Sequence, residues 1–362
     1  MDLKTNTKKI NNSQMHNSPR VCIIVLNWNG WRDTVECAES ILNQRYPEYQ
    51  LVIIDNGSSD DSVTQIKHWI NDVKHIKFME YCRTEAEHGD RMAKKDKVGV
   101  SPSKALIILI TTGENLGFAV GNNIGINHAL KSDFKYFFIL NNDTIIKPDT
   151  VSLLVAALET EKKYGVATPQ IRYYDEPGRI VNSGGYLTIT GHRKYYNAGR
   201  LAPESSEKSV REISFITGCA LFVRREIFEK YGILSEDFFF GEEDYEFSLR
   251  MRKNHVGLVC ILNAHVYHKI GRARKTLCQN INSIFMHYFN RFVNYRKYYR
   301  KFYWYIWRFG TFAYILPMLY IKYKFTLEQL VCLARTLIKY SNDYNAVSKQ
   351  CMNQAFEELT KC

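Results

Sequence analysis

Acidic residues are missing from one long stretch of this 362-residue chain. Between Phe247 and Leu327 there is no Asp or Glu, while 15 Lys or Arg fall in the same stretch. The whole chain carries 49 Lys+Arg against 37 Asp+Glu, a net +12, so this block exceeds the entire surplus. A run of one sign attracts polyanions, and the phosphates of nucleic acid, nucleotides or lipid headgroups all qualify. The nine cysteines contain no C-x-x-C pair, which excludes zinc-like spacing and a compact disulfide framework. Their scatter fits a reducing cytosol. The first 20 residues are polar and Asn/Lys-rich with no apolar run, so no secretory signal is read there, and residues 1–19 are expected to form a flexible leader. No internal repeat or low-complexity tract stands out. The 45% apolar content is ordinary for a globular chain able to bury a sizeable core.

Short apolar runs alternate with helical patterns. Val21–Leu26, Leu51–Ile54, residues 105–110 and Tyr136–Leu140 read as buried strands. Helices are expected over Trp31–Asn43, through Ile70 with Asp60 as its cap, over Gly117–Leu130 and over Asp149–Lys163, where Pro148 suits a first turn. Such alternation implies βαβ units and a mainly parallel sheet, so the fold class is α/β and Rossmann-like. Residues 80–104, polar and charged with Gly and Pro, are expected to be a surface insertion. Ligands of open α/β sheets bind beyond the carboxyl ends of the strands. Four polar clusters fall at those ends: Asn27-Trp28-Asn29-Gly30, Asp55-Asn56-Gly57, Thr112-Gly113-Glu114-Asn115 and Asn141-Asn142-Asp143. Each alone is ordinary turn chemistry. Four in succession, with no basic residue, suggest one polar crevice.

The segments VCIIVLNWNG, LVIIDNGSSDDS, ENLGFAVGNNIGI and YFFILNNDTIIKPD, followed by FITGCALFVRREIFEKYGILSEDFFFGEEDYEFSLR and HVYHKIG, resemble the family 2 glycosyltransferases in order and pattern, nearest to the rhamnosyltransferase-like members. The resemblance covers roughly residues 20–275. It implies a GT-A fold, a nucleoside-diphosphate-sugar donor, and transfer with inversion to an acceptor hydroxyl. Asp143 matches the last acid of the family's D-x-D motif, whose first position here is Asn141. That acid and His268 are the metal ligands the resemblance implies, and oxygen donors suit Mg²⁺ or Mn²⁺. Asp55 matches the acid that contacts the base. Asn29, Asn115, Gly117, Asn122 and Asn142 complete the implied nucleotide-sugar contacts, while close helix–sheet packing explains Gly117, Gly121 and Gly125 equally well. Glu243 and Asp244 fall on the paired acids of an E-D-x-D pattern, with Asp244 as base and Glu246 in place of the second Asp. An inverting transfer needs such a base, although acids in a first helical turn also complement the helix dipole. Thr217-Gly218 matches the floor of the acceptor site. Residues His265 and His268 stand three apart along a strand, so only one of them can face the site.

The segment 276–362 falls outside the pattern and is expected to be helical. Residues 285–325 hold 18 aromatics among 41, interleaved with Arg291, Arg296, Lys297, Arg300, Lys301 and Arg308. Phe302–Ile321 is nearly long enough to span a bilayer, but Arg308 and Pro317 interrupt it. Two readings stand: an amphipathic segment in a membrane interface, with Trp304 and Trp307 as headgroup anchors, or an appendage packed on the catalytic domain. No RNA-binding signature accompanies it, so no nucleic-acid partner is expected. The expected partners are a nucleotide-sugar donor, a saccharide or lipid-linked saccharide acceptor, and the cytosolic face of a membrane, in surface-polysaccharide assembly. A sugar-phosphate nucleotidyltransferase should carry a basic Gly-rich loop after its first strand, and residues 27–31 have no basic residue. A non-catalytic carbohydrate- or membrane-binding protein is the other alternative.

Overall fold

The computed structural model describes residues 18–73, 77–88, 106–188, 192–203, 209–270 and 280–360. The leader expected at residues 1–19 lies outside these except for Ser18 and Pro19.

The first half alternates as expected. It runs β1 (Val21–Asn27), α1 (Trp31–Leu42), β2 (Tyr49–Asp55), α2 (Ser62–Asp72), β3 (Lys77–Cys82), α3 (Arg83–His88), β4 (Leu106–Thr111), α4 (Phe118–Leu130) and β5 (Tyr136–Asn141). Then follow β6 (Thr144–Ile146), α5 (Thr150–Thr160), β7 (Tyr164–Tyr173), β8 (Ile180–Asn182), β9 (Gly185–Leu187), β10 (Arg193–Tyr195), β11 (Val210–Glu212), β12 (Ala220–Arg224), α6 (Arg225–Tyr231), α7 (Glu243–Lys253) and β13 (Gly257–His268). The chain continues with α8 (Ile281–Tyr298), α9 (Lys301–Tyr323), α10 (Leu327–Asp343) and α11 (Lys349–Thr360).

One large sheet has the order β11-β13-β7-β12-β5-β1-β2-β4-β3, with β6 on β13 and β8 on β7, and β9-β10 form a separate hairpin. From β5 to β3 every pairing is parallel. β12 enters antiparallel between β5 and β7, so the sheet changes character there. The unbroken apolar run of β1 follows from burial on both faces. Its alternate residues go to opposite layers: Val21, Ile23 and Val25 pack on one face with α1, α2 and α5, and Cys22, Ile24 and Leu26 pack on the other with α4. α1 buries Thr34, Cys37, Ala38 and Ile41, the spacing of one helical face. A third core joins Phe215, Phe238, Tyr245 and Leu249 to residues of α8–α11.

Three expectations change. Glu80–Cys82 closes edge strand β3, and residues 83–88 form α3, so the insertion does not begin at residue 80; residues 89–104 lie outside the described residues. An edge strand tolerates polar residues because one side meets water, and Glu80 ion-pairs with Lys67. α2 starts at Ser62 and its N-cap position is Asp61 rather than Asp60, although Asp60 Oδ1 accepts from the Ser62 N–H at 3.0 Å. Cys22, Cys37, Cys82, Cys219, Cys260 and Cys351 are free thiols, but Cys332 is disulfide-bonded, which the scattered spacing did not announce.

Candidate active site

Parallel pairing in register brings the strand ends together: Asn27 lies beside Asp55, Asp55 beside Thr111, and Leu26 beside Asn141. The polar side chains there tie the loops to one another. Asn27 Nδ2 donates to Asp55 Oδ1 at 2.7 Å, and Thr34 Oγ1 donates to Asn27 Oδ1 at 2.7 Å. Asp55 is buried and also accepts from the Ser58 N–H and hydroxyl, so it closes its own turn. Asn29 adopts φ 52°, and its Oδ1 accepts from the Ser59 N–H at 2.8 Å, linking the first loop to the second. Asn142 Nδ2 donates to the Gly30 carbonyl at 3.3 Å, linking the fourth loop to the first, and to Thr34 Oγ1 of α1 at 3.0 Å. Asn115 Oδ1 accepts from the Gly117 N–H at 2.9 Å and from Asn56 Nδ2 at 3.2 Å. Buried Asn56 therefore joins the second and third loops, a role hidden in a sequence where it read as a turn residue.

Gly117 has φ 87°, and a Cβ there would stand 2.2 Å from the Phe239 carbonyl oxygen. The Phe118 N–H donates to that same oxygen. This close approach seats the aromatic run before α7 against the start of α4. Gly121 and Gly125 face Leu26 and Ile54 across close helix–sheet contacts, so packing accounts for both. Asn122 is buried beneath this corner, with Nδ2 donating to the Phe118 carbonyl at 2.9 Å.

Asp143 follows β5, and the pairing of β6 with β13 sets His268 opposite Thr144. His268 Nε2 lies 3.1 Å from Asp143 Oδ1. That oxygen is buried without a donor of suitable hydrogen-bond geometry, and so are Asn141 Oδ1 and Thr217 Oγ1. Burial opposes the imidazolium of His268, but Cys219 and Asp143 beside it outweigh this and its pKa is pushed up to about 10. Among the described residues no cluster of three His, Cys, Asp or Glu can hold an ion. An orphaned carboxylate oxygen beside an imidazole nitrogen still fits Mg²⁺ or Mn²⁺, which take one or two protein ligands and complete their shell with substrate phosphate and water. His265 turns elsewhere: its Nε2 stands 3.0 Å from Arg172, and burial, then Arg172, push its pKa down to about 4. Of the two histidines, His268 lies beside Asp143 and His265 beside Arg172.

On the other side of the crevice, the Gly218 N–H donates to Asp244 Oδ2 at 2.7 Å. The expected acceptor floor and the expected base are thus in contact. Asp244 Oδ1 also accepts from the Tyr245 N–H at 2.6 Å. Glu243 is buried and its Oε2 has no partner. Burial, then the neighbouring Asp244 charge, raises the proton affinity of Glu243. Burial raises that of Asp244 too, with the Gly218 N–H and Arg193 opposing. Two adjacent carboxyls in this setting do not both ionise easily. Asp244 is the less buried of the two. Glu246, at the motif's second acid, faces away: it pairs with Arg250 at 2.9 Å and accepts from the Tyr298 hydroxyl. Arg193 and Asn294, which both reach Glu242, were not legible as site residues because they come from a hairpin and from α8.

The family model of glycosyl transferase family 2 matches residues 6–89 and 95–232, and the chain belongs to that family. The match ends before Glu243, Asp244 and His268, whose placement rests on the geometry above. The fold is GT-A: the crystal structure of GalNAc-T7 with UDP, GalNAc and Mn²⁺ is similar at a TM-score of 0.54 and 14% identity, covering 96% of this chain and 58% of that one. Agl10 of Haloferax volcanii, a low-salt glycan biosynthesis hexosyltransferase, is 25% identical over 152 residues, 41% of this chain and 47% of that protein. Chondroitin synthase of Escherichia coli is 22% identical over 191 residues, 53% of this chain and 23% of that protein. The chain spans half or less of the length of the curated relatives it matches.

Proposed function

We propose that the chain transfers a hexosyl group, rhamnosyl among the candidates, from a nucleoside-diphosphate sugar to an acceptor hydroxyl with inversion. One observation carries the reading: Asp143–His268 and Gly218–Asp244 are contacting pairs at the carboxyl edge of the sheet, one suited to a diphosphate and the other to a hydroxyl. In this reading Asp55 and Asn29 bind the nucleoside, and Asn115, Gly117, Asn122 and Asn142 shape the donor groove. Asp143 Oδ1 and His268 Nε2 would hold a divalent cation, and the imidazole must then lose its proton. When bound, the cation offsets charge on the departing diphosphate. Thr217 and Gly218 floor the acceptor site. Asp244 takes the acceptor proton as the hydroxyl oxygen bonds to the anomeric carbon; the bond to the diphosphate breaks and its electron pair leaves with the diphosphate. In this reading buried Glu243 keeps its proton, so the negative charge beside Asp244 is that of Glu242, which Arg193 offsets. Mn²⁺ with UDP and GalNAc in GalNAc-T7, and the hexosyltransferase name of Agl10, support this class. The family match favours neither a sugar-phosphate nucleotidyltransferase nor a non-catalytic binder.

The acceptor we propose is a lipid-linked saccharide reached from the cytosolic membrane face during surface-polysaccharide assembly. Among the described residues no helix is long and apolar enough to cross a membrane. The support comes from α9, whose exposed face presents Phe302, Tyr305, Ile306, Phe309, Tyr314 and Ile321. Lys301 and Lys322, near its two ends, can reach headgroups. The structure corrects the detail of this expectation. Trp304 and Trp307 are buried in the third core and cannot anchor in headgroups. Arg308 is buried as well, over the Trp304 ring and donating to Ser341 and Asn342. The outward face is therefore apolar, and binding should depend more on insertion than on charge. Screening UDP-, GDP- and dTDP-sugars for protection against thermal unfolding, then for release of nucleoside diphosphate with Mn²⁺ and in excess chelator, tests the enzymatic reading. Full turnover in chelator would remove the metal from it.

A further inference from the structure

Glu242 immediately precedes the candidate acids. Its backbone is left-handed, φ 81° and ψ −17°, a conformation that side chains with a Cβ rarely adopt. Such outliers persist only where surrounding contacts impose them. Here its buried carboxylate pairs with Arg193 and accepts from Asn294 Nδ2 at 3.0 Å. Arg193 comes from β10 and lies 3.4 Å from the Tyr245 ring centroid. Asn294 comes from α8 and is fully buried. The same helix grips residues on both sides of the acids. Asn290 Nδ2 donates to the Phe240 carbonyl at 2.8 Å, the Tyr295 and Tyr245 hydroxyls are 3.1 Å apart, and the Tyr298 hydroxyl donates to Glu246. α8 thus holds Phe240, Glu242, Tyr245 and Glu246, the residues that flank Glu243 and Asp244 on both sides. A helix that served only to bury apolar surface would need none of these polar contacts, and an unmet buried amide is costly.

We propose that α8 is a positioning element of the active site, in which Asn294 and Arg193 clamp Glu242 and so set the direction of Glu243 and Asp244. This rests on those acids being the catalytic pair, and it makes a segment lying beyond the family match part of the catalytic apparatus. Asn294 and Arg193 are positioning residues and touch no substrate in this scheme.

The test uses the full chain and two readouts. One is hydrogen–deuterium exchange over residues 238–248. The other is nucleoside diphosphate release, measured with whichever of the UDP-, GDP- and dTDP-sugars the wild type turns over fastest. Asn294→Ala should accelerate exchange at residues 241–246 about tenfold or more while β1 and β5 keep wild-type protection. It should lower kcat about 30-fold or more with donor KM changed less than about twofold, since misplacement of the acids costs chemistry and not donor binding. Glu242→Gly separates backbone from side chain, because glycine accepts the positive φ but supplies no carboxylate; it should behave like Asn294→Ala. If Arg193, left unpaired, prevents that variant from folding, Asn294→Asp decides: its charge repels Glu242, and its kcat should fall below that of Asn294→Ala. Wild-type exchange and kcat in folded Asn294→Ala would overturn the clamp. A wild type that releases no nucleotide from any sugar would instead overturn the catalytic reading, and the exchange experiment would still judge the clamp.

Discussion

Helices α8 and α9 follow one another in the chain, are both aromatic and basic, and contain no acid. Their surroundings differ. α8 packs against α9, α10 and α11 and sends its polar side chains to the loop before α7. It buries Phe285, Phe289, Asn290, Phe292, Val293, Asn294 and Tyr295, more than one stripe of its surface. α9 buries one stripe, Trp304, Trp307, Arg308, Thr311, Ile315 and Leu319, with Phe312 and Tyr323 packed beside it, and leaves Phe302, Tyr303, Tyr305, Phe309, Tyr314 and Tyr320 exposed. The two readings of the tail are therefore divided between neighbours: α8 is the packed appendage and α9 the candidate membrane face. Composition cannot distinguish them, because an aromatic ring is equally satisfied by a protein core and by a bilayer interface. What separates them is how many sides of each helix other elements cover.

That contrast can be pressed from the inside outward. The largest effect is expected where α8 supports the chemistry. Asp244→Asn should lower kcat by about 10²–10⁴-fold, the usual weight of a general base, while donor protection against unfolding is retained. If Asp244→Asn keeps wild-type turnover and Glu243→Gln abolishes it, the roles within the pair are reversed. Asp143→Ala should cost about 100-fold or more in turnover and abolish stimulation by Mn²⁺, with a melting temperature close to wild type. Retained stimulation would show that the cation is held elsewhere.

The next pair compares the two sides of α9 directly. Trp304→Ala empties a buried site and should cost about 3–5 kcal/mol in urea unfolding. Phe309→Ala, on the outer face, should leave stability within about 0.5 kcal/mol and lower affinity for anionic vesicles by about tenfold. Salt should weaken vesicle binding of the wild type without abolishing it. A wild type that ignores such vesicles at low salt would make α9 a packed element on one side and an unassigned surface on the other. Truncation before α8 is a poor substitute for these variants, since it would also remove the partners of Phe238 and Tyr245 in the third core.

The smallest effect concerns pH. The folded-state pKa of Glu243 is raised by burial, then by Asp244, so its contribution to stability is fully present below the unfolded carboxyl pKa and is lost as pH rises through the folded value. Glu243→Gln should therefore be relatively more stable than wild type at pH 8 than at pH 5. A difference independent of pH would mean that the folded-state pKa of Glu243 is not raised above its unfolded value.

Much of the parallel half was legible. The strands β1, β2, β4 and β5 appear within a residue or two of the positions their apolar runs indicated, because burial on both faces demands such runs. The four polar clusters do lie at one edge, since parallel strands all end there. β3 was hidden by its polarity at the sheet edge. The antiparallel insertion of β12 between β5 and β7 was also hidden, since nothing local specifies which distant strand a strand will pair with. Within the site, Asp143, His268, Gly218 and Asp244 stood out as residue types, but their pairing depended on β6 meeting β13 and on the loop before β12 meeting α7.

The amino-acid sequence by itself determined the layered α/β plan and the gathering of four polar clusters at the carboxyl edge of the sheet, because hydrophobic periodicity and turn chemistry act over a few residues. Only the tertiary structure decided that Tyr298 reaches Glu246, that Arg308 is buried, that Glu242 is gripped from α8 and that α9 has an exposed apolar side. Each of these depends on which surfaces meet across tens or hundreds of residues. Burial, partner charge and exposed area are properties of that meeting, and no single segment contains them.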